Sequence, residues 1–162
     1  MNMKKPLTFE LAQGGIIAAL YVALTLLFAP ISSGEVQLRI AEALTILPLF
    51  TSAAIPGLFL GCVLANLLTG AVIWDVIFGS LATLIGAYFG RLLKGNRWLV
   101  PIPAILANTL IIPFVLKYGY GLDLPIALEM VYIFLGEVGG CYILGELLAT
   151  ALMPLRNKIF KE

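Results

Sequence analysis

Residues 11–28 read LAQGGIIAALYVALTLLF, eighteen consecutive positions without a formal charge, lying between Glu10 and the turn-forming stretch Pro30–Gly34. As an α-helix rising about 1.5 Å per residue, the segment nearly matches the ~30 Å hydrocarbon core of a bilayer. It sets the pattern for the rest of the chain. Of 162 residues, 61% are hydrophobic and only 12% charged, and the mean hydropathy is +1.05. A soluble domain carries about a quarter charged residues, so this composition cannot cover a water-facing surface. At about 20 residues per crossing, the length suffices for six helices with short loops and leaves no room for a soluble catalytic domain. The expected fold is therefore an all-α integral membrane bundle of six transmembrane helices, a single domain over residues 1–162.

The remaining spans follow from the breaks. Arg39–Thr51 is the second, ended by the SAAIPG stretch at residues 52–57; Leu58–Val72 is the third. Both are short, so tilting or local thinning is expected. Trp74–Leu93, Trp98–Leu116 and Pro125–Leu155 complete the six, the last being long enough to tilt, kink or project. Lys4 and Lys5 ahead of the first apolar run superficially resemble a signal peptide. No small-residue cleavage site leads into a soluble domain, however, and apolar spans continue to the end, so the segment is expected to be a true span.

Six spans put both termini on one side. That side carries Lys4, Lys5, Arg91, Lys94, Arg97, Arg156, Lys158 and Lys161, whereas Arg39 and Lys117 fall on the other. The positive-inside rule then makes both termini cytoplasmic.

With the spans assigned, the polar residues acquire depths. Gln37, Arg39 and Glu42 stand at the outer start of span 2, Asn66 in the outer half of span 3 and Asp75 at the outer start of span 4. Asn108 lies about 15 Å up span 5 from the inside. Glu129 is near the outer entry of span 6 and Glu137 close to mid-bilayer. The inner half has little beyond Gln13 and Glu146, the latter expected to pair structurally with Arg91. An ionisable residue in hydrocarbon costs about 2.5–3.5 kcal/mol on insertion scales, so a one-sided concentration needs a compensating role. Convergence on one outward-facing cavity would supply it. The outer loops and half-spans carry a net charge of −4, so such a pocket favours a cation or a ligand rich in N–H donors.

Structural explanations compete at each position. Arg39 and Glu42, at i and i+3, can pair with each other at a helix end. Asn66 and Asn108 can serve as interhelical hydrogen-bond glue, and Asp75 can simply complement a helix N-terminus. Glu137 has no basic residue near its depth, which favours a functional role. Tyr132 and Tyr142 flank it and could stack on a flat ligand. Cys62 and Cys141 sit in apolar runs and read as buried thiols packing as small hydrophobes. With two Cys and no His, no disulfide, metal site, cofactor or nucleophile constellation is expected, and net charge +1 gives no field for nucleic acid. In span 1, Gly15, Ala19 and Ala23 form a small-residue stripe that permits close helix approach, either within the chain or to another membrane protein.

Three stretches carry a family likeness: VQLRIAEALTILPLFTSAAIPGLFLGCVLAN at residues 36–66, DVIFGSLATL at 75–84, and LGEVGGCYILGELL at 135–148. Together they resemble the QueT family of queuosine-precursor transporters, S-components of energy-coupling-factor (ECF) vitamin transporters, over about Leu11–Leu155. The resemblance implies six helices, cytoplasmic termini, a ligand pocket in the outer half, and partnership with a membrane coupling protein and two cytoplasmic ATPases. It implies docking through an Ala-x-x-x-Ala motif on helix 1, matched by Ala19 and Ala23. The implied ligand is a 7-deazaguanine such as preQ1, which carries a primary aminomethyl group. Glu137 or Glu42 could accept from its guanine-like edge, Asp75 or Glu129 could take the ammonium, and Asn66, Asn108, Gln37 or Arg39 could donate to its carbonyl. The Gly139–Gly140 pair stands where the family pattern has bulkier residues, and Glu146 where it is commonly apolar. The alternatives are an S-component for another vitamin such as cobalamin, an autonomous permease coupled to protons through Glu137, and, least favoured, an intramembrane acid–base enzyme.

Overall fold

A computed structural model of the chain describes residues 7–32 and 38–160; Gln37 lies outside the described residues. Six apolar helices make the bundle: α1 (Leu7–Leu27), α2 (Ile40–Leu49), α3 (Ala54–Leu68), α4 (Asp75–Leu92), α5 (Arg97–Gly119) and α6 (Ile126–Ile159). Four are long and apolar enough to cross a membrane; α2 and α3 are shorter. Among the described residues there is no strand. The chain is a multi-pass membrane protein. Below, the upper end of the bundle is the one holding Arg39, Asp75 and Tyr120, and the lower end the one holding Thr51, Arg91 and Arg97.

The two short helices solve their length problem differently. α2 is a 3₁₀ helix of 10 residues, rising about 2 Å per residue instead of 1.5 Å. Every residue from 41 to 50 is buried, so α2 is the bundle's centre and not a lipid-facing wall. Its lower end leaves unpaired carbonyls, and Arg91 Nη1 of α4 donates to Pro48 O at 2.9 Å, satisfying one of them. α3 begins four residues earlier than the sequence suggests because Pro56 falls in its first turn, where a missing N–H costs nothing. It stops at Gly70, whose φ of +71° lets Ala71 N donate back to Asn66 O at 2.9 Å, a left-handed helix stop.

α1 packs on α3 through small residues. A Cβ on Gly57 would come within 2.7 Å of Gly14 O, and one on Gly61 within 3.1 Å of Ala18 Cα. The face used is therefore Gly14, Ala18 and Tyr21. The adjacent stripe of Gly15, Ala19 and Ala23 points out of the bundle and is exposed.

α6 is bent. A π-helical stretch at Val138–Leu144 interrupts it, and a 3₁₀ turn at Met153–Leu155 follows. The Gly139–Gly140 pair has a packing reason: a Cβ on Gly140 would lie 2.8 Å from Arg39 O, and one on Gly139 2.8 Å from Leu38 Cδ1. The glycines let α2 enter against α6. Gly140→Ala is expected to cost about 1–3 kcal/mol as overpacking, read as a lowered melting temperature in detergent. Gly145→Ala, whose Cβ would meet nothing closer than 3.5 Å, is expected to leave it unchanged.

The lower end is sealed. Phe50 and Phe160 stack at 5.0 Å between ring centroids. Gln13 donates to Ile159 O at 3.1 Å and accepts from Thr51 Oγ1 at 3.0 Å, tying α1, α2 and the end of α6 together. Glu146 pairs with Arg97 at 3.0 Å and not with Arg91, which is engaged at Pro48. Arg97 also stacks over Trp98, 4.4 Å from its centroid.

Candidate functional site

The polar residues of the upper half assemble in two tiers. The upper tier is a half-open cavity of about 470 Å³, lined by Arg39, Asn66, Asp75, Tyr21 and Tyr120 among others. Arg39 has extended backbone (φ −89°, ψ 104°) just before α2, and its Nη2 lies 3.6 Å from Asp75 Oδ2. Asp75 opens α4 in a π-helical turn over Asp75–Gly79, a distortion often found at functional sites. Its carboxylate folds back over Gly79, where a Cβ would meet Oδ1 at 2.5 Å. Asn66 Nδ2 donates to Asp75 O at 3.1 Å, joining α3 to α4, and Tyr120 Oη donates to Asp75 Oδ2 at 3.1 Å. Burial and then the Asp75 charge push the Tyr120 phenol above its ordinary pKa. Among the described residues Asp75 Oδ1 is buried without a hydrogen-bond partner. A buried carboxylate oxygen with no donor is costly, and here it belongs to a residue that lines a cavity.

The lower tier follows from the 3₁₀ geometry of α2. In such a helix residues i and i+3 eclipse, so Glu42 and Thr45 form one column running inward, with Arg39, the capping residue before the helix, at its head. Glu42 Oε1 accepts from Tyr21 Oη at 2.5 Å. Cys141 Sγ lies 2.9 Å from Glu137 Oε2 and 3.9 Å from Glu42 Oε2, and Asn108 of α5 also contacts Glu137. One atom each from Glu42, Glu137 and Cys141 lies within 4.8 Å of the others. That spacing would also suit a small cation, but the phenol and the thiol already donate to these carboxylates. Tyr21 joins the tiers, since it lines the cavity and bonds Glu42.

Of the residues singled out in sequence, Arg39, Asn66 and Asp75 line the cavity, and Glu42, Glu137 and Asn108 lie beneath it. Glu129 is in neither tier. It is 2% exposed, with both carboxylate oxygens lacking a hydrogen-bond partner among the described residues, one turn along α6 from Ile133, which packs with Ile112 and Leu116 of α5. Tyr132 and Tyr142 do not line the cavity; Tyr142 packs against the Ala104–Ile105–Cys141 cluster. The tyrosines that do belong are Tyr21, hidden in sequence beside the small-residue stripe, and Tyr120, in a loop. Cys141 is more than a packing thiol, because it sits between two carboxylates.

A multi-helix membrane bundle with a charged, half-enclosed cavity at one end and a sealed base at the other has the form of a small-solute transport protein. Its sequence agrees with one family in particular. Residues 11–154 match the QueT transporter family, and the chain belongs to it. A curated relative, the queuosine precursor transporter QueT of Lactococcus lactis subsp. cremoris (strain MG1363), is 38% identical over 93 residues, 56% of this chain and 54% of that protein. The match thus spans about half of the relative's length. No solved structure matches the chain. The family is one of transporters and not of enzymes.

Proposed function

We propose that the protein captures a queuosine precursor, a 7-deazaguanine such as preQ1, in the upper cavity, and that it does so as the S-component of an ECF importer. In this reading the upper end faces outward, both termini are cytoplasmic, and the whole chain acts as one membrane domain. The supporting observation is Asp75: a buried carboxylate with one oxygen lacking a donor among the described residues, on the wall of a cavity also lined by Arg39 and Asn66. A ligand bearing an ammonium or N–H donors completes that carboxylate, while Arg39 offers donors to a ring carbonyl; the Asn66 amide is engaged by Asp75 O and Cys62 Sγ and holds the wall in place. The volume of about 470 Å³ lies within the usual range for small-molecule sites, about 300–1,000 Å³. It suits a bicyclic base better than a corrinoid. The relative's name supports the same ligand class.

The exposed stripe of Gly15, Ala19 and Ala23 supports a docking role for α1 against a membrane coupling protein, with two cytoplasmic ATPases as the source of energy. Calorimetry on purified protein with preQ1, guanine and cobalamin tests the ligand. Saturable binding of preQ1 with weaker binding of guanine is expected; cobalamin binding with none of preQ1 would replace the assignment. Co-purification of ATP-binding subunits tests the partnership. Uptake by proteoliposomes containing this chain alone would favour the proton-coupled permease instead.

A further inference from the structure

Three carboxylates and one guanidinium are gathered within and beneath the cavity. Arg39 is committed to Asp75, 3.6 Å away. Glu42 and Glu137, 1% and 5% exposed, are left facing each other across the Cys141 thiol, and the three lie within 4.8 Å of one another. The other titratable groups near the pair are Tyr21 from α1, Cys62 from α3 and Arg39 at the head of α2. From α5 comes the neutral Asn108. Arg91 of α4 is spent on Pro48 O and Glu146 on Arg97. No second cation among the described residues balances the pair.

Hydrogen counting leads to the same place. Tyr21 supplies one proton, to Glu42 Oε1. Cys141 has a single S–H yet lies against a carboxylate oxygen on each side, at 2.9 Å and 3.9 Å. It cannot donate to both. Two carboxylates this close in a water-poor interior cannot both remain ionised without a compensating positive charge or proton.

We propose that Glu42 and Glu137 share one proton in the ligand-free protein, and that a cationic or donor-rich ligand takes its place, so that binding releases it. This rests on the reading of the cavity as a nucleobase site. The Tyr21 ring both lines the cavity and bonds Glu42, so displacement of one side chain brings a ligand's donor edge to the pair. The sign follows from linkage. The free site holds a proton that the complex lacks, so affinity rises with pH, by about tenfold per unit for one proton, until the free site is itself deprotonated. The site thereby selects a base carrying its own donors over an isostere that offers acceptors to the same edge.

The test has two arms. Infrared difference spectroscopy of ligand-free protein across pH reads the protonated-carboxyl band. An E129Q background removes the buried acid that has neither a hydrogen bond nor an ion pair among the described residues. The band is expected at neutral pH in E129Q and to be lost when either E42Q or E137Q is added, because the remaining carboxylate then ionises beside a neutral amide. Its absence in E129Q, or its persistence in both double variants, would overturn the shared proton. In the second arm, preQ1 is titrated calorimetrically in buffers of different ionisation enthalpy. Release of about one proton in wild type, abolished in E42Q and E137Q, supports displacement. Binding of preQ1 with no proton release overturns it. A band with the expected behaviour and no preQ1 binding at any pH would instead overturn the nucleobase assignment, leaving the shared proton in place.

Discussion

Asp75→Asn is expected to weaken preQ1 binding by about 100- to 1,000-fold, the equivalent of about 3–4 kcal/mol for breaking a buried charged contact. Asp75 is 4% exposed and holds together the upper tier: Arg39 at 3.6 Å, Tyr120 at 3.1 Å and, through its backbone oxygen, Asn66. The amide matches the carboxylate in volume, so the fold is expected to persist, with the Asn66 bond to the backbone untouched. Two things change. Arg39 loses its counter-charge and competes for the ligand's acceptors in a different geometry. The oxygen that has no donor among the described residues loses the charge that would make a ligand donor worth the desolvation. Asp123→Asn is the control, since Asp123 is an exposed acid of the same end that does not line the cavity; its affinity is expected to match wild type. Equal affinities for Asp75→Asn and wild type, in protein of unaltered melting temperature, would remove Asp75 from the site.

How far the sequence reveals this site depends on which physical constraint places each residue. Depth along a span is one-dimensional, so the ends at which Arg39, Asn66 and Asp75 lie are legible from span boundaries alone. Which face of a helix a residue occupies is a second coordinate, and on uniformly apolar helices little marks it. Tyr21 is hidden for that reason: apolar residues flank it in sequence, and only the Gly14–Ala18 packing against Gly57 and Gly61 turns it inward. Glu129 shows the converse: the sequence places it near the outer entry of span 6, and the structure buries it away from the cavity lining. The helix type of α2 was illegible as well. A short apolar segment with an internal proline fits an α-helix or a 3₁₀ helix equally well from composition. Yet the 3₁₀ form is what eclipses Glu42 and Thr45 in one column beneath the cavity. The glycine pair at 139–140, which looks in sequence like a departure, is explained by the close entry of α2 against α6.

Ala19→Leu together with Ala23→Leu is expected to reduce uptake in cells carrying the ATPase partners by at least about tenfold, a loss of about 1.4 kcal/mol or more at an interface, while preQ1 affinity in purified protein stays within about twofold of wild type. The separation rests on the geometry of α1. Both positions are exposed, and a Cβ added even at Gly15 would meet nothing within 4 Å. Leucines there clash with nothing in the bundle and are compatible with lipid, so the folded, ligand-binding protein should tolerate them. Close approach of a second helix, which small residues permit, is what they prevent. Ala18→Leu makes the contrasting variant. Ala18 is 8% exposed and abuts Gly61, so leucine there is expected to pry α1 from α3, displace Tyr21 and lower ligand affinity and melting temperature together. Normal uptake by the Ala19/Ala23 variant would refute docking through this face. The consequence of the arrangement is that one helix carries both faces: the stripe open to a partner and, on the other side, the phenol that lines the cavity and bonds Glu42. On that reading, a partner that tilts α1 by gripping the stripe is expected to move Tyr21 as well, which would couple docking to the Tyr21–Glu42 hydrogen bond of 2.5 Å.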